Sequence, residues 1–228
     1  MNLKDLEYVP AATLPASQTV YRVQRTVALS ATVTIGPLLL PPAGLLSGRF
    51  DLAAVDVAYF AETPETAAFE ALARREAKTL SLAVLRQREV ICVQATSALH
   101  LLDLRPHTPT WPVLQSQRLH VTQSLSAAVL LAGFEGILYR SAQQYGHDCY
   151  AVFGLALHGF NSVWSQPVLK PSGPCIRRSW PRSEARRSRS SRKTGRGTPN
   201  SSWHYRRRRQ VHTDQYMISI LIMGLRNW

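Results

Sequence analysis

The chain has 228 residues, 45% of them hydrophobic, enough for one domain of ordinary size and an extension. Its charge of +13 is unevenly placed, because residues 1–169 hold 12 basic and 12 acidic side chains while residues 170–228 hold 15 basic and two acidic ones. This balance of charges argues against nucleic-acid binding by the front part. The three cysteines lack the spacing of a metal or redox site. No apolar run suits a signal peptide or a membrane span, so we expect a protein with reduced cysteines in the cytoplasm.

The predicted elements begin with a strand over Thr19–Arg25, where β-forming residues alternate. A loop rich in proline and glycine follows over residues 36–48, and a second strand is predicted over residues 54–61. The first helix is predicted over residues 64–78, because Thr63 can cap it and proline suits the first helical position.

The second half of the front part alternates short strands with one more helix. Three short β-like runs are predicted at residues 80–85, 89–95 and 101–104. A proline-containing connection at 105–118 leads to a helix over 122–132, which Gly133 ends, and to two last strands over 136–141 and 150–157. About seven strands and two main helices, without regular alternation, predict an α+β fold.

The composition changes over residues 166–228. Arg, Ser, Pro and Gly dominate residues 179–202, and residues 206–209 are four consecutive arginines. No apolar period supports a core there, so a basic, disordered tail is expected. The same mixture, with few acids, also resembles a message read out of frame, which leaves a frameshifted, non-native tail as the alternative.

Several segments, in a fixed order, carry residue types that suggest chemistry. They are Tyr21-Arg22-Val23, Gly48-Arg49-Phe50-Asp51, residues 59–70 and residues 133–142, followed by residues 147–153. In this order and spacing they resemble the RES domain, a family named for an arginine, a glutamate and a serine, and we place that domain at residues 15–160. The resemblance assigns the family's functional residues to Arg22, Arg49, Tyr59, Glu70 and Ser141.

The resemblance implies a fold similar to ADP-ribosyltransferases, with a split sheet, flanking helices and a cleft that binds NAD. It implies a toxin that depletes NAD by cleaving the nicotinamide–ribose bond, by hydrolysis or phosphorolysis. It also implies a cognate helix-turn-helix antitoxin, through which alone the protein would meet nucleic acid. NAD is then the substrate, no cofactor is implied, and the seven histidines show no metal-ligand spacing.

These residue types suit the cleavage of an N-glycosidic bond. A carboxylate such as Glu70 can stabilise the positive charge that develops on the ribose. Arg49, and Arg22 as a second candidate, can bind the pyrophosphate through planar, bidentate donors. Tyr59 can stack on the nicotinamide ring, and Ser141 can donate to a ribose or phosphate oxygen.

Two other functions remain open. An ADP-ribosyltransferase would use the same residues but transfer the ribosyl group to a protein. A nucleic-acid-binding protein without enzymatic activity would instead use the arginine-rich tail to neutralise phosphates. Taken singly, each residue also has an ordinary structural interpretation: Arg49 as a solvated turn residue, Tyr59 as core, Glu70 as an exposed helical side chain.

Overall fold

The computed structural model describes residues 4, 8–72, 81–109 and 119–169. Ten strands and three α-helices lie within those ranges. The strands are β1 (Ala11–Leu14), β2 (Thr19–Arg25), β3 (Val33–Ile35), β4 (Leu38–Leu40), β5 (Val57–Ala61), β6 (Arg88–Ala95), β7 (Leu99–Asp103), β8 (Gly136–Arg140), β9 (Asp148–Phe153) and β10 (Phe160–Pro167). The helices are α1 (Pro64–Leu72), α2 (Leu82–Arg86) and α3 (Leu119–Leu131), and a 3-10 helix over Gly154–Gly159 joins β9 to β10.

Eight of the strands form one sheet in the order β1-β7-β8-β9-β5-β2-β6-β10. All neighbours are antiparallel except β7 and β8. In the middle of the sheet β2 and β5 align through one residue pair, Tyr21 with Ala61, so these two strands diverge and the sheet opens between them. The predicted α+β class, with a split sheet and flanking helices, is confirmed.

The two faces of the sheet bury two separate cores. Side chains alternate between faces along a strand, so Val20 and Val23 of β2 belong to different clusters. Helices α1 and α3 cover one face, and the β3–β4 hairpin covers the other. The sheet is therefore buried between two helices and a small hairpin, with the opening between β2 and β5 next to α1.

Several local predictions are confirmed. The first predicted strand coincides with β2. Helix α1 begins at Pro64, and the hydroxyl of Thr63 accepts a hydrogen bond from the Thr66 amide at 3.1 Å, as expected of a capping residue. Gly133, at a φ of +86°, follows α3 in the left-handed conformation that ends many helices. The predicted part of the first helix beyond Leu72 lies outside the described residues.

Two local predictions are wrong. Residues 36–48 are not loop throughout, because Gly36 takes a φ of +53° in a two-residue turn and joins β3 to β4. The β-like run at residues 80–85 is helical over Leu82–Arg86, since the Ser81 hydroxyl accepts a hydrogen bond from the Ala83 amide and caps a helix instead.

The last predicted strand, over residues 150–157, ends as β9 at Phe153, and a 3-10 helix over Gly154–Gly159 follows it. The folded core nevertheless continues beyond Leu157. Strand β10 pairs with β6 as far as Pro167 opposite Glu89. Val168 and Leu169 then pack against the core on the helical face. The other residues of the predicted tail, 170–228, lie outside the described part of the chain.

Candidate active site

A cleft of about 540 Å³ lies where β2 and β5 diverge. Strands β2 and β5, helix α1, the start of β6 and the loop between β4 and β5 contribute its lining. Four of the five residues predicted from the sequence line it: Arg22, Arg49, Tyr59 and Glu70. The fifth, Ser141, is only 2% exposed, but the two residues after it, Ala142 and Gln143, line the cleft.

The carboxylate of Glu70 contacts both Arg49 and Ser141. Its Oε1 accepts hydrogen bonds from Ser141 Oγ at 2.6 Å and from the backbone amides of Ala142 and Gln143 at 2.9 and 3.3 Å. Its Oε2 lies 3.2 Å from Nη2 of Arg49. Both oxygens are engaged while 20% of the side chain stays exposed, so the carboxylate is held in one orientation at the cleft.

Arg49 is held by its ion pair and by two aromatic rings. Its guanidinium carbon lies 4.9 Å from the ring centroid of Tyr139 and 5.7 Å from that of Phe50. Burial alone would lower the pKa of Arg49, but its interactions with Tyr139 and with the Glu70 carboxylate raise that pKa above its ordinary value. A fixed positive charge therefore stands beside Glu70.

A tight turn over residues 48–51 presents Arg49 to the cleft. Asp51 closes the turn, because its Oδ2 accepts from the Gly48 amide at 2.7 Å and its Oδ1 accepts from the Tyr59 hydroxyl at 2.8 Å. The Tyr59 oxygen in turn accepts from the Phe50 amide at 2.8 Å. A Cβ at Gly48 would lie 2.4 Å from that oxygen, so the close approach requires glycine.

Tyr59 thus connects strand β5 to the turn that carries Arg49. Burial, followed by the negative charge of Asp51 and the hydrogen bond to it, raises the pKa of Tyr59 well above its ordinary value, so its hydroxyl stays protonated and can donate. The hydroxyl donates to Asp51 and accepts from Phe50, and Tyr59 lines the cleft.

Ser141 lies at the end of β8 and organises the loop behind Glu70. Its oxygen accepts from the amides of Gln143 and Gln144 at 3.2 and 2.9 Å while its hydroxyl donates to Glu70. The Gln144 side chain accepts from the Thr66 hydroxyl at 2.8 Å, which ties the loop to α1. The loop and the helix that supplies the carboxylate are therefore one hydrogen-bonded unit.

Arg22 contacts the same region through the backbone. Its Nη1 donates to the carbonyl oxygen of Tyr59 at 3.1 Å and its Nη2 to that of Leu39 at 3.4 Å. Burial lowers the pKa of Arg22 to about 10, with the positive charge of Arg88 acting in the same direction. The contact with the Tyr59 carbonyl joins Arg22 to the other predicted residues.

Two features of the site escaped sequence reasoning. Asp51 was named only as the last residue of the Gly48–Asp51 motif, yet it closes the Arg49 turn; an acid three residues after a glycine is the local signal for that role. Arg88 also lines the cleft. Nothing in the polar run of residues 86–89 distinguishes it from its neighbours.

Comparison with known proteins gives one decisive match. The family model described as "RES domain" matches residues 19–174, more than half of the chain. The chain belongs to the RES-domain family. The arginine, the glutamate and the serine that the motif order singled out are the residues that meet at the cleft of this RES domain.

One solved structure similar to this RES domain is the crystal structure of the M. tuberculosis MbcT–MbcA toxin–antitoxin complex. A chain of that complex matches with a TM-score of 0.50 and 18% sequence identity, over 68% of this chain and 85% of that one. At this identity the likeness concerns the fold. No curated protein matches the chain significantly.

Within the described ranges, no three His, Cys, Asp or Glu side chains come together as a metal site would require. No helix of the described part of the chain is both long and apolar enough to cross a membrane.

Proposed function

We propose that this RES domain is the toxin of a toxin–antitoxin pair and depletes NAD by cleaving its nicotinamide–ribose bond. The supporting observation is that Arg49 and Ser141, from distant segments, both contact the Glu70 carboxylate at the cleft. Such a cleft has the size of a small-molecule site.

The chemistry proposed for Glu70 follows from its orientation. When the bond between the ribose C1′ and the nicotinamide nitrogen breaks, its electron pair leaves with neutral nicotinamide and positive charge remains on the ribose. A carboxylate fixed beforehand by Arg49 and the Ser141 loop stabilises that charge without reorganising during the reaction. Water or phosphate then attacks C1′ and completes hydrolysis or phosphorolysis.

The other predicted residues take supporting roles. Ser141 was predicted to donate to a substrate oxygen, but its hydroxyl donates to Glu70, which makes it a positioning residue. The ring of Tyr59 lines the cleft and remains our candidate for stacking on nicotinamide. Arg49 was predicted to bind the pyrophosphate; its ion pair with Glu70 instead favours a role beside the reacting ribose.

Nicotinamide release from NAD by the purified chain tests this proposal. We expect Glu70→Gln to lose at least about 10³-fold in turnover, because the charge that stabilises the transition state is removed while the shape is kept. Glu135→Gln is the matched control. Glu135 is also a partly buried carboxylate, bonded to the His100 amide at 2.7 Å, and it lies at the opposite end of β8 from Ser141. Equal turnover of Glu70→Gln and the parent would refute the role of Glu70.

The acceptor distinguishes this proposal from an ADP-ribosyltransferase. Release of nicotinamide with NAD as the sole added nucleotide, and no protein target, supports cleavage to water or phosphate. Release that requires an added protein, with label from NAD retained on that protein, would favour the transferase instead. Phosphate dependence of the rate then separates phosphorolysis from hydrolysis.

The proposed partner is a cognate helix-turn-helix antitoxin, and the supporting observation is that the similar solved structure is a toxin–antitoxin complex. Expression of the chain alone is expected to arrest growth, since an unrestrained NAD-degrading enzyme would starve its own cell. Glu70→Gln, expressed to the same level, is expected to restore growth. Normal growth with soluble, folded parent protein would contradict the toxin assignment.

A further inference from the structure

Arg88 is a cationic side chain in the cleft that none of the roles above uses. It begins β6, lines the cleft beside α1 and is partly buried. Its Nε is buried and has no hydrogen-bond acceptor among the described residues. A buried donor without an acceptor costs free energy, so a ligand that brings an acceptor is favoured there.

Arg22 on the neighbouring strand has the same property. Its Nε is also buried without an acceptor in the described part of the chain, although its two Nη atoms bind backbone carbonyls. A guanidinium carries five N–H donors in a fixed plane, and two of those of Arg22 are used in this way. Two arginines of the same cleft thus retain donor capacity.

The electrostatics of this pair also favour an anion. Burial and then the charge of Arg25 lower the pKa of Arg88, while the charge of Arg88 contributes to lowering that of Arg22. Three described carboxylates of the region are committed to other groups. These are Glu70 on Arg49 and the Ser141 loop, Asp51 on Gly48 and Tyr59, and Glu89 on Gln24.

We propose that Arg88 binds a phosphate oxyanion in the cleft, beside Arg22, for which the family resemblance already implies such a contact, and that Arg88 is a residue that determines affinity for the substrate. This inference rests on the proposed function for the identity of the ligand, which we take to be the pyrophosphate of NAD. Phosphate oxygens match the planar donors of guanidinium groups and supply acceptors and negative charge at once. Free inorganic phosphate, used as the attacking group, has the same chemistry.

Steady-state kinetics of the full chain test Arg88. Arg88→Gln is expected to raise the KM for NAD at least about tenfold with kcat within about twofold of the parent, because ground-state and transition-state binding of the phosphate are lost equally. Arg88→Lys keeps the charge but loses the planar pair of donors, so its KM for NAD is expected to lie between those of the parent and Arg88→Gln. Arg86→Gln is the matched control, since Arg86 is an exposed arginine in the last turn of α2 that does not line the cleft, and its KM is expected to equal that of the parent.

Two further measurements identify the phosphate and separate this inference from the proposed function. Calorimetric binding of ADP-ribose is expected to weaken about tenfold in Arg88→Gln, a loss comparable to the rise in KM. Nicotinamide riboside, which has no phosphate, is expected to be cleaved equally by both proteins. A changed KM for inorganic phosphate with an unchanged KM for NAD would assign the site to free phosphate instead. If the parent cleaves NAD and Arg88→Gln has the same ADP-ribose affinity and the same KM values as the parent, the inference about Arg88 is wrong while the proposed function stands. If Arg88→Gln binds ADP-ribose more weakly but the parent cleaves no NAD, the inference stands and the proposed function is refuted.

Discussion

Two parts of the cleft lining differ in how their polar groups are satisfied. Around Glu70, the carboxylate oxygens, the Ser141 hydroxyl and the Arg49 guanidinium are all engaged with one another. Around Arg22 and Arg88, buried Nε atoms have no acceptor among the described residues. The first part is oriented before any ligand arrives, as expected of groups that must stabilise a transition state, and the second gains its contacts from a ligand.

This difference predicts that changes around Glu70 affect turnover, whereas changes at Arg88 affect binding. The predictions below concern the preorganised part, from the largest expected effect to the smallest.

Ser141→Ala is expected to lower kcat about 10²-fold and leave KM unchanged, because Glu70 loses its shortest hydrogen bond and the loop after β8 loses its central acceptor. The control is Ser126→Ala, another buried serine, whose hydroxyl donates to the Thr122 carbonyl within α3. Both variants should remain folded by circular dichroism. A rise in KM as large as the fall in kcat for Ser141→Ala would abolish the proposed distinction between the two parts of the cleft.

Asp51→Ala is expected to lower the free energy of unfolding by about 1–3 kcal/mol, since the partly buried Gly48 amide and Tyr59 hydroxyl lose their acceptor. Asp51→Asn should recover part of this loss, because its amide oxygen can still accept from Gly48 while the NH₂ that replaces the second oxygen cannot accept the Tyr59 proton. Chemical denaturation of both variants measures the effect, with Asp56→Ala, which changes another partly buried aspartate, as the control. Equal stability of the alanine variant and the parent would show that the turn is held by other contacts.

The ion pair between Asp103 and Arg105 predicts a smaller, pH-dependent effect on the free energy of unfolding. Burial would raise the pKa of Asp103, but hydrogen bonds from Arg105 outweigh it and hold that pKa below its ordinary value of 3.8. A lowered folded-state pKa contributes stability above the ordinary value, and this contribution is lost as the pH falls through the folded pKa.

Chemical denaturation of the parent and of Asp103→Asn at neutral and acid pH checks whether the stability that Asp103 contributes is lost on acidification. The parent is expected to be the more stable protein at neutral pH, and the difference should shrink as the pH falls below 3.8. A difference that stays constant or grows on acidification would contradict the pairing of Asp103 with Arg105.

Much of the local structure could be predicted because it depends on neighbouring residues. The alternation in β2, the cap at Thr63 and the stop at Gly133 are set within a few positions of the chain. The predictions failed where a short-range pattern was ambiguous. The run at residues 80–85 has the apolar content of a strand, but Ser81 provides a helix cap that decides the outcome.

Strand β10 shows a different limit. Its side chains are mostly exposed, so no alternation of apolar residues marks it, and its place in the sheet comes from backbone pairing with β6. Hydrogen bonds between backbones leave little trace in side-chain composition, and the end of the core was therefore predicted too early.

The order and spacing of the motifs indicated the family and the residues of interest, and the order of the predicted strands and helices indicated the α+β class, because these depend on residue identity along the chain. Only the tertiary structure decided how they act together. Glu70 is 21 residues from Arg49 and 71 from Ser141, and the helix, the turn and the loop that carry them meet only when the sheet forms. The same folding places Arg88 in the cleft, a position set by strand pairing that no local signal records.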